Sequence, residues 1–204
     1  MNPTPGTVYL VDDDPSMCRA LVRLVASQGL TPRAFTSAQE FLDSGTPNRP
    51  ACLVLDIRMP GISGLDLQTE LARRNLHLPI VFITGHGDVR TSVRAMKQGA
   101  VDFLLKPFSH HDLATVIHQA LAKDQHRQLS EASRQDLQNR LQTLTPRERQ
   151  VFDHVIRGLL NKQIADELGA SEQTIKVHRH RVMEKMRVTS VAELVQAAVK
   201  LGLL

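Results

Sequence analysis

The sequence predicts two folded units: an α/β doubly wound domain built on a five-stranded parallel sheet, followed by a smaller all-α domain of four helices. Three observations predict it. Short apolar runs alternate with longer amphipathic stretches over residues 1–123, strand-like alternation stops after Thr145, and between them lies a polar stretch without Gly or Pro. At about 150 residues per domain, a chain of 204 residues accommodates one large domain or two small ones.

Taken in order, the apolar runs at 8–11, 52–55, 80–84 and 101–105 read as strands, with a weaker one at 33–35. Between them lie helical patterns at 15–28, 38–42, 65–73, 89–97 and 112–122; the first sets Met17, Leu21, Leu24 and Val25 on one side. Regular βα alternation implies a parallel sheet covered by helices on both faces. The polar segment DQHRQLSEASRQDLQNRLQTLT holds no Gly or Pro and reads as a mainly helical linker rather than a flexible tether. A two-stranded coiled coil is the alternative, but the segment's apolar points, Leu129, Leu137, Leu141 and Leu144, do not keep a heptad. Four more helical patterns follow at 146–157, 162–168, 172–186 and 191–201, separated by Gly158, Gly169-Ala170 and Val188-Thr189. The expected organisation is a first domain at 6–123, a helical linker at 124–143 and a second domain at 144–204.

Composition narrows the classes. Hydrophobic residues are 42% and charged residues 23%, so neither wholesale disorder nor a membrane protein fits. No run approaches the ~18 apolar residues of a spanning helix. Residues 1–7 are uncharged and Pro-rich, unlike a signal peptide, so the expected compartment is the cytoplasm. Two cysteines, Cys18 and Cys52, in apolar surroundings read as reduced core thiols. The net charge of +4 is uneven: residues 171–187 hold Lys176, Arg179, Arg181, Lys185 and Arg187 against Glu172 and Glu184. With 3% aromatics, stacking platforms for single strands are scarce, and duplex DNA is the natural polyanion for that segment.

Polar residues gather at the ends of the expected strands. The first runs into Asp12, Asp13 and Asp14, the third into Asp56, the fourth into Thr84 and the fifth into Lys106-Pro107. In a doubly wound sheet these carboxyl ends converge on one edge, where binding crevices form. Clustered carboxylates repel unless a cation neutralises them, and an all-oxygen acidic set suits Mg²⁺. A carboxylate beside Mg²⁺, a lysine and a hydroxyl is a site for accepting a phosphoryl group. A cap before Pro15, favoured by the helix dipole, explains one acid, Asp14, and leaves Asp56 and Lys106 without a reason.

VDDDPS, LDIRMPGISG, ITGHGD and AVDFLLKPF resemble the receiver domain of two-component response regulators over about residues 6–123. The resemblance implies the flavodoxin-like strand order 2-1-3-4-5, Asp56 as phosphoacceptor, Asp12 and Asp13 as the acidic pair, Thr84 as switch hydroxyl, Phe103 as switch aromatic and Lys106 as phosphate-contacting lysine. It further implies Mg²⁺ held by Asp13, Asp56 and the Arg58 backbone carbonyl, and a cis bond before Pro107. Asp14 extends the usual pair and is a neighbour of the site. In the implied switch, Thr84 moves toward the phosphoryl group and Phe103 fills the vacated space. The face built from 89–97 and 101–105 then becomes a dimerisation surface.

The second domain opens with Thr145 as N-cap, Pro146 at the first helical position and Glu148 completing a capping box. A short helix, a turn at Gly169 and a longer helix form a helix-turn-helix, whose second helix sets Ile175, Val182 and Met186 on one face and Lys176, Arg179 and His180 on another. His178 and His180 are not a metal pair, because residues two apart on a helix do not face each other. TPRERQV, NKQIADELGASEQTIKVHRHRVMEKM and SVAELVQAAV resemble the LuxR-type helix-turn-helix of FixJ- and NarL-like regulators over about 143–204. The resemblance implies Lys176, Val177 and His180 in the major groove, Thr174, Arg179 and Lys162 near phosphates, and 191–199 as a dimer helix. His180 departs from the longer basic side chain more usual there.

The expected function is a response regulator phosphorylated by a sensor histidine kinase, activated as a homodimer to bind duplex DNA and regulate transcription. It acts on no separate substrate, beyond self-phosphorylation from small donors and autodephosphorylation. Two alternatives are a phosphorylation-dependent protein-binding adaptor and an aspartyl-phosphate phosphotransferase. Against the phosphotransferase, little sequence is left for a substrate lid, and Arg58 stands where a second acid would follow Asp56.

Overall fold

The computed structural model describes residues 5–85 and 89–204, with the backbone alone at 89–91. Residues 1–4, and His86, Gly87 and Asp88 of the ITGHGD segment, lie outside the described residues. The chain divides into two compact units, 1–128 and 129–204.

The first unit alternates strand and helix: β1 (Thr7–Val11), α1 (Pro15–Ser27), β2 (Thr31–Phe35), α2 (Ala38–Asp43), β3 (Ala51–Asp56), α3 (Gly64–Arg73), β4 (Ile80–Thr84), α4 (Val89–Lys97), β5 (Asp102–Leu105) and the start of α5 (His110–Gln142). All strand pairs are parallel, in the order β2-β1-β3-β4-β5, as the resemblance implies. The three central strands are buried along their whole length, which is why they read as continuous apolar runs. The edge strand β2 carries Pro32 and Arg33 and is largely exposed, which explains its faint pattern. Side chains alternate across the sheet. Tyr9, Leu53, Leu55 and Phe82 pack on one face with Phe41, Leu67 and Leu71, while Val8, Leu10, Val54 and Ile83 pack on the other with Leu21, Val25, Leu113 and Ile117.

Most expected elements lie within two residues of the observed ones. The exception is α5, which starts at His110 and continues without a break to Gln142, so the helix at 112–122 and the segment at 124–142 form one element. The apolar stripe Leu113, Val116-Ile117, Ala120-Leu121 is extended by Asp124, which is fully buried in the first unit. Its carboxylate accepts hydrogen bonds from Ala51 N (2.9 Å) and Gln128 Nε2 (3.0 Å) and pairs with Arg49.

The second unit contains the end of α5, then α6 (Pro146–Ile156), α7 (Asn161–Leu168), α8 (Glu172–Met186) and α9 (Val191–Leu201). Their core gathers Leu137, Val151, Phe152, Val155, Ile164, Ile175, Val182, Met186 and Leu194. Gly169 ends α7 in the left-handed conformation, φ 60°, the turn between α7 and α8 that favours glycine. Both cysteines are free and buried, and burial pushes the Cys52 thiol up to about 12, which keeps it protonated. Among the described residues no helix is long and apolar enough to cross a membrane.

Candidate phosphoryl-acceptor site and DNA-facing helix

Four strand ends place the first unit's polar residues on one edge. Asp12 follows β1, Asp56 ends β3, Thr84 ends β4 and Lys106 follows β5. Asp12 and Asp56 are almost fully buried, at 1% and 5% exposure, so their charges need partners. The Lys106 ammonium supplies one to both, donating to Asp12 Oδ2 at 2.7 Å and Asp56 Oδ1 at 2.8 Å. The other oxygen of each carboxylate takes a backbone donor: Asp14 N on Asp12 at 2.9 Å, and Arg58 N on Asp56 at 2.7 Å.

Burial raises the Asp56 carboxyl above its ordinary value, with the Asp12 charge adding to it and Lys106 opposing it. Burial alone would lower Lys106; its bonds to Asp12 and Asp56 outweigh that and raise it. Lys106 N donates to Thr84 O at 2.8 Å, tying the ends of β4 and β5, and the Lys106–Pro107 bond is cis. Asp13 is exposed beside the site. Asp14 caps α1, accepting from Ser16 N at 2.8 Å. Phe103, paired with Phe82 across β4 and β5, packs partly buried against the first of the two sheet-face cores.

The donor set fits a hard cation. Among the described residues no three His, Cys, Asp or Glu side chains form a metal cage. The carboxylates carried to this edge, Asp12, Asp13 and Asp56, are hard oxygen donors, which suits an ion that takes few protein oxygens and keeps several waters, the habit of Mg²⁺.

The α3 N-terminus closes behind Asp56. Ser63 caps α3, and Gly64 N donates to Ile57 O at 3.0 Å. A Cβ on Gly64 would fall well inside van der Waals contact of the Asp56 carbonyl oxygen and 3.0 Å from Ile57 Cα, so only glycine permits this approach. Gln68, one turn later, donates from Nε2 to Ala95 O and Gln98 O at the end of α4.

In the second unit, α8 buries Ile175, Val182 and Met186 and exposes Lys176, Val177 and His180. Lys162 is exposed on α7. Thr174 is exposed, its hydroxyl 2.8 Å from that of the cap residue Ser171. Arg179 is half-buried and donates to Asn161 Oδ1 at 2.9 Å, so α7 and α8 are linked through a residue the sequence placed near phosphates. His178 is half-buried, and its Nδ1 has no hydrogen-bond partner among the described residues.

Sequence reasoning missed three contributors. Lys185 reaches back to Glu148 Oε2 at 2.6 Å across 37 positions, and no local pattern signals that pair. Asp124 lies on the buried stripe of α5, and its spacing from Leu121 and Ala120 was the available signal. Gly64 is identified as required only by the backbone it touches.

Residues 8–118 match the family described as "Response regulator receiver domain", and residues 142–198 match "Bacterial regulatory proteins, luxR family". Nodulation protein W of Bradyrhizobium diazoefficiens is 50% identical over 200 residues, covering 98% of this chain and 88% of that protein. The transcriptional regulatory protein FixJ of the same species is 43% identical over 201 residues, covering 98% of each. Among solved structures, the response regulator StyR is 46% identical with a TM-score of 0.85, covering 97% of this chain and 100% of that one. Full-length FixJ from B. japonicum is 43% identical with a TM-score of 0.60, covering 98% and 99%. A receiver domain that implies a sensor kinase partner, followed by a LuxR-type domain that implies DNA binding, is the composition of a transcriptional response regulator, and this chain belongs to the FixJ-like two-component response regulators.

Proposed function

We propose that Asp56 accepts a phosphoryl group from the phosphohistidine of a sensor histidine kinase, and that the resulting aspartyl phosphate switches the chain into a homodimeric, DNA-binding transcription regulator. One Asp56 carboxylate oxygen attacks phosphorus; the P–N bond breaks with its electron pair returning to the imidazole, and a P–O bond forms. The observation that carries the proposal is Lys106 Nζ within hydrogen-bond distance of both buried carboxylates. That ammonium is already positioned to take a phosphoryl oxygen in place of Asp56 Oδ1 while keeping its bond to Asp12.

Asp13, Asp56 and the Arg58 carbonyl would hold Mg²⁺, and a bound Mg²⁺ supplies positive charge against the transferred oxygens. Phosphorylation takes the Asp56 charge from −1 toward −2 and adds acceptor oxygens. The Thr84 hydroxyl turns to donate to one of them, and Phe103 moves into the space it leaves. The face that responds, α4 and β5, exposes Val93, Met96 and Leu105, apolar side chains that a second copy would cover. A coupling of about 1–3 kcal/mol between the two sites suffices for a useful population shift. Small phosphodonors can replace the kinase, and autodephosphorylation resets the switch.

On this reading the receiver spans 6–123, the linker 124–143 and the DNA-binding domain 144–204, with Asp124 anchoring the start of the linker to the receiver. Lys176, Val177 and His180 enter the major groove, and Lys162, Thr174 and Arg179 lie along phosphates. Helix α9 pairs with its copy, so two domains meet half-sites one helical turn apart. A chain that reads genomic DNA works in the cytoplasm.

The test uses the full chain with acetyl phosphate and Mg²⁺. One phosphoryl group is incorporated, Asp56→Asn abolishes it, and phosphorylation tightens duplex binding in gel shifts at several salt concentrations. Full labelling of Asp56→Asn on another residue overturns the phosphoacceptor assignment. Duplex binding that ignores phosphorylation overturns the switch.

A further inference from the structure

Near its N-terminus helix α8 presents to its outer face a polar side chain, Gln173, that the contacts described above do not employ. Residues on an α-helix advance by about 100° each. Measured from Gln173, His180 falls about 20° to one side, Lys176 about 60° to that same side and Val177 about 40° to the other. Ile175, Val182 and Met186 cluster on the opposite side, about 180–220° away, and all three are buried. Gln173, Lys176, Val177 and His180 are all exposed. Gln173 is therefore at the centre of the outward stripe, whereas Arg179 sits toward the buried side, where Asn161 holds it.

The chemistry of Gln173 is also uncommitted. Its neighbour Thr174 is engaged with Ser171, but among the described residues the Gln173 amide has no hydrogen bond within the protein. It lies in the first turn of α8, the end of a recognition helix that meets base edges. A neutral amide gains little from phosphate compared with lysine or arginine. Its paired donor and acceptor instead match the N7 acceptor and N6 amino donor that adenine presents in the major groove.

We infer that Gln173 is a specificity-determining residue that reads an adenine in each half-site. From Gln173 to His180 the stripe advances about 10 Å at 1.5 Å per residue. It therefore covers about three base-pair steps of about 3.4 Å, with the adenine at the end nearest the α8 N-terminus. The inference rests on the proposed reading that α8 enters the major groove.

Selection of duplexes from a random pool by the phosphorylated full chain, compared with Gln173→Ala, Gln173→Arg and Lys176→Ala, tests it. The unaltered protein selects adenine at one position per half-site, with discrimination of about 5- to 150-fold, the worth of one bidentate contact. Gln173→Ala loses that preference and keeps the others; Gln173→Arg shifts it to guanine. Placing 7-deazaadenine there removes N7, which weakens the unaltered protein and leaves Gln173→Ala unaffected. Adenine preference that persists in Gln173→Ala, or a loss spread evenly over all sequences, overturns the inference. If Lys176→Ala alters its own position while Gln173→Ala alters none, the groove reading stands and this assignment fails; if neither variant alters any position, the groove reading itself falls.

Discussion

Glu148→Ala measures how firmly the helix-turn-helix is held. The Glu148 side chain is nearly fully buried, and its Oε2 accepts from Thr145 N at 2.9 Å and from Lys185 Nζ at 2.6 Å. Truncation keeps the bond from the backbone N of residue 148 to Thr145 Oγ1 but removes the returning one from Thr145 N, worth about 1 kcal/mol, and a hydrogen bond between charged partners, worth about 1.5–3 kcal/mol. Lys185 is 33% exposed and also donates to Thr143 O at 3.0 Å, so it is not stranded without a partner. The lower part of the range applies, and the loss is about 2–3 kcal/mol. In a unit of this size each kcal/mol moves the midpoint by about 4–8 °C, so Tm falls by about 8–24 °C. Thermal melting of the full chain measures the shift, and hydrogen exchange at the α6 and α8 amides assigns it to the second unit. The Lys185 hydrogen bond, then those of Thr145, hold the Glu148 carboxyl below its ordinary value of 4.5. A group depressed in the folded state contributes fully above its unfolded value and loses that contribution as pH falls through the folded one. The deficit of the variant is therefore full at neutral pH and narrows below about pH 4.5. An unchanged midpoint at pH 7, or a deficit that does not narrow in acid, refutes the reasoning.

Three further predictions follow from named contacts. Gly64→Ala forces the α3 N-terminus off the Asp56 carbonyl, costing about 1–3 kcal/mol in urea unfolding and slowing labelling by acetyl phosphate; unaltered labelling would count against a tight fit behind the acceptor. Asp124→Ala leaves Ala51 N without its carboxylate and Arg49 without its buried partner; because Arg49 is partly solvated, the expected loss is about 2–4 kcal/mol, and urea melts within error of the parent would contradict it. Lys176→Ala relaxes base preference by about 1–3 kcal/mol, whereas Arg179→Ala lowers the salt slope by about one; gel shifts at four salt concentrations separate the two, and identical slopes and preferences would dismiss both roles.

Much of this was legible because it is local. Central strands buried on both faces must be apolar throughout, so β1, β3 and β4 announce themselves, and the parallel sheet follows from their alternation with helices. The acceptor site was legible for the same reason: in a parallel sheet the residue after each strand is carried to one edge, so Asp12, Asp56, Thr84 and Lys106 converge whatever lies between them. β2 was faint because an edge strand is under weaker demand for apolar residues.

The two units, the strand-end cluster, the capped helices and the two faces of α8 can be read along the chain, since each depends on a period or a spacing of a few residues. Long-range packing alone shows that Lys106 is shared between Asp12 and Asp56, that Asp124 is held at the start of β3, that Lys185 closes on Glu148 and that Arg179 is tied to Asn161. Those pairings join residues 18 to 94 positions apart. A charge or hydrogen-bonding group selects its partner by proximity after the apolar faces have packed, and the identity of that neighbour leaves no periodic mark on the chain.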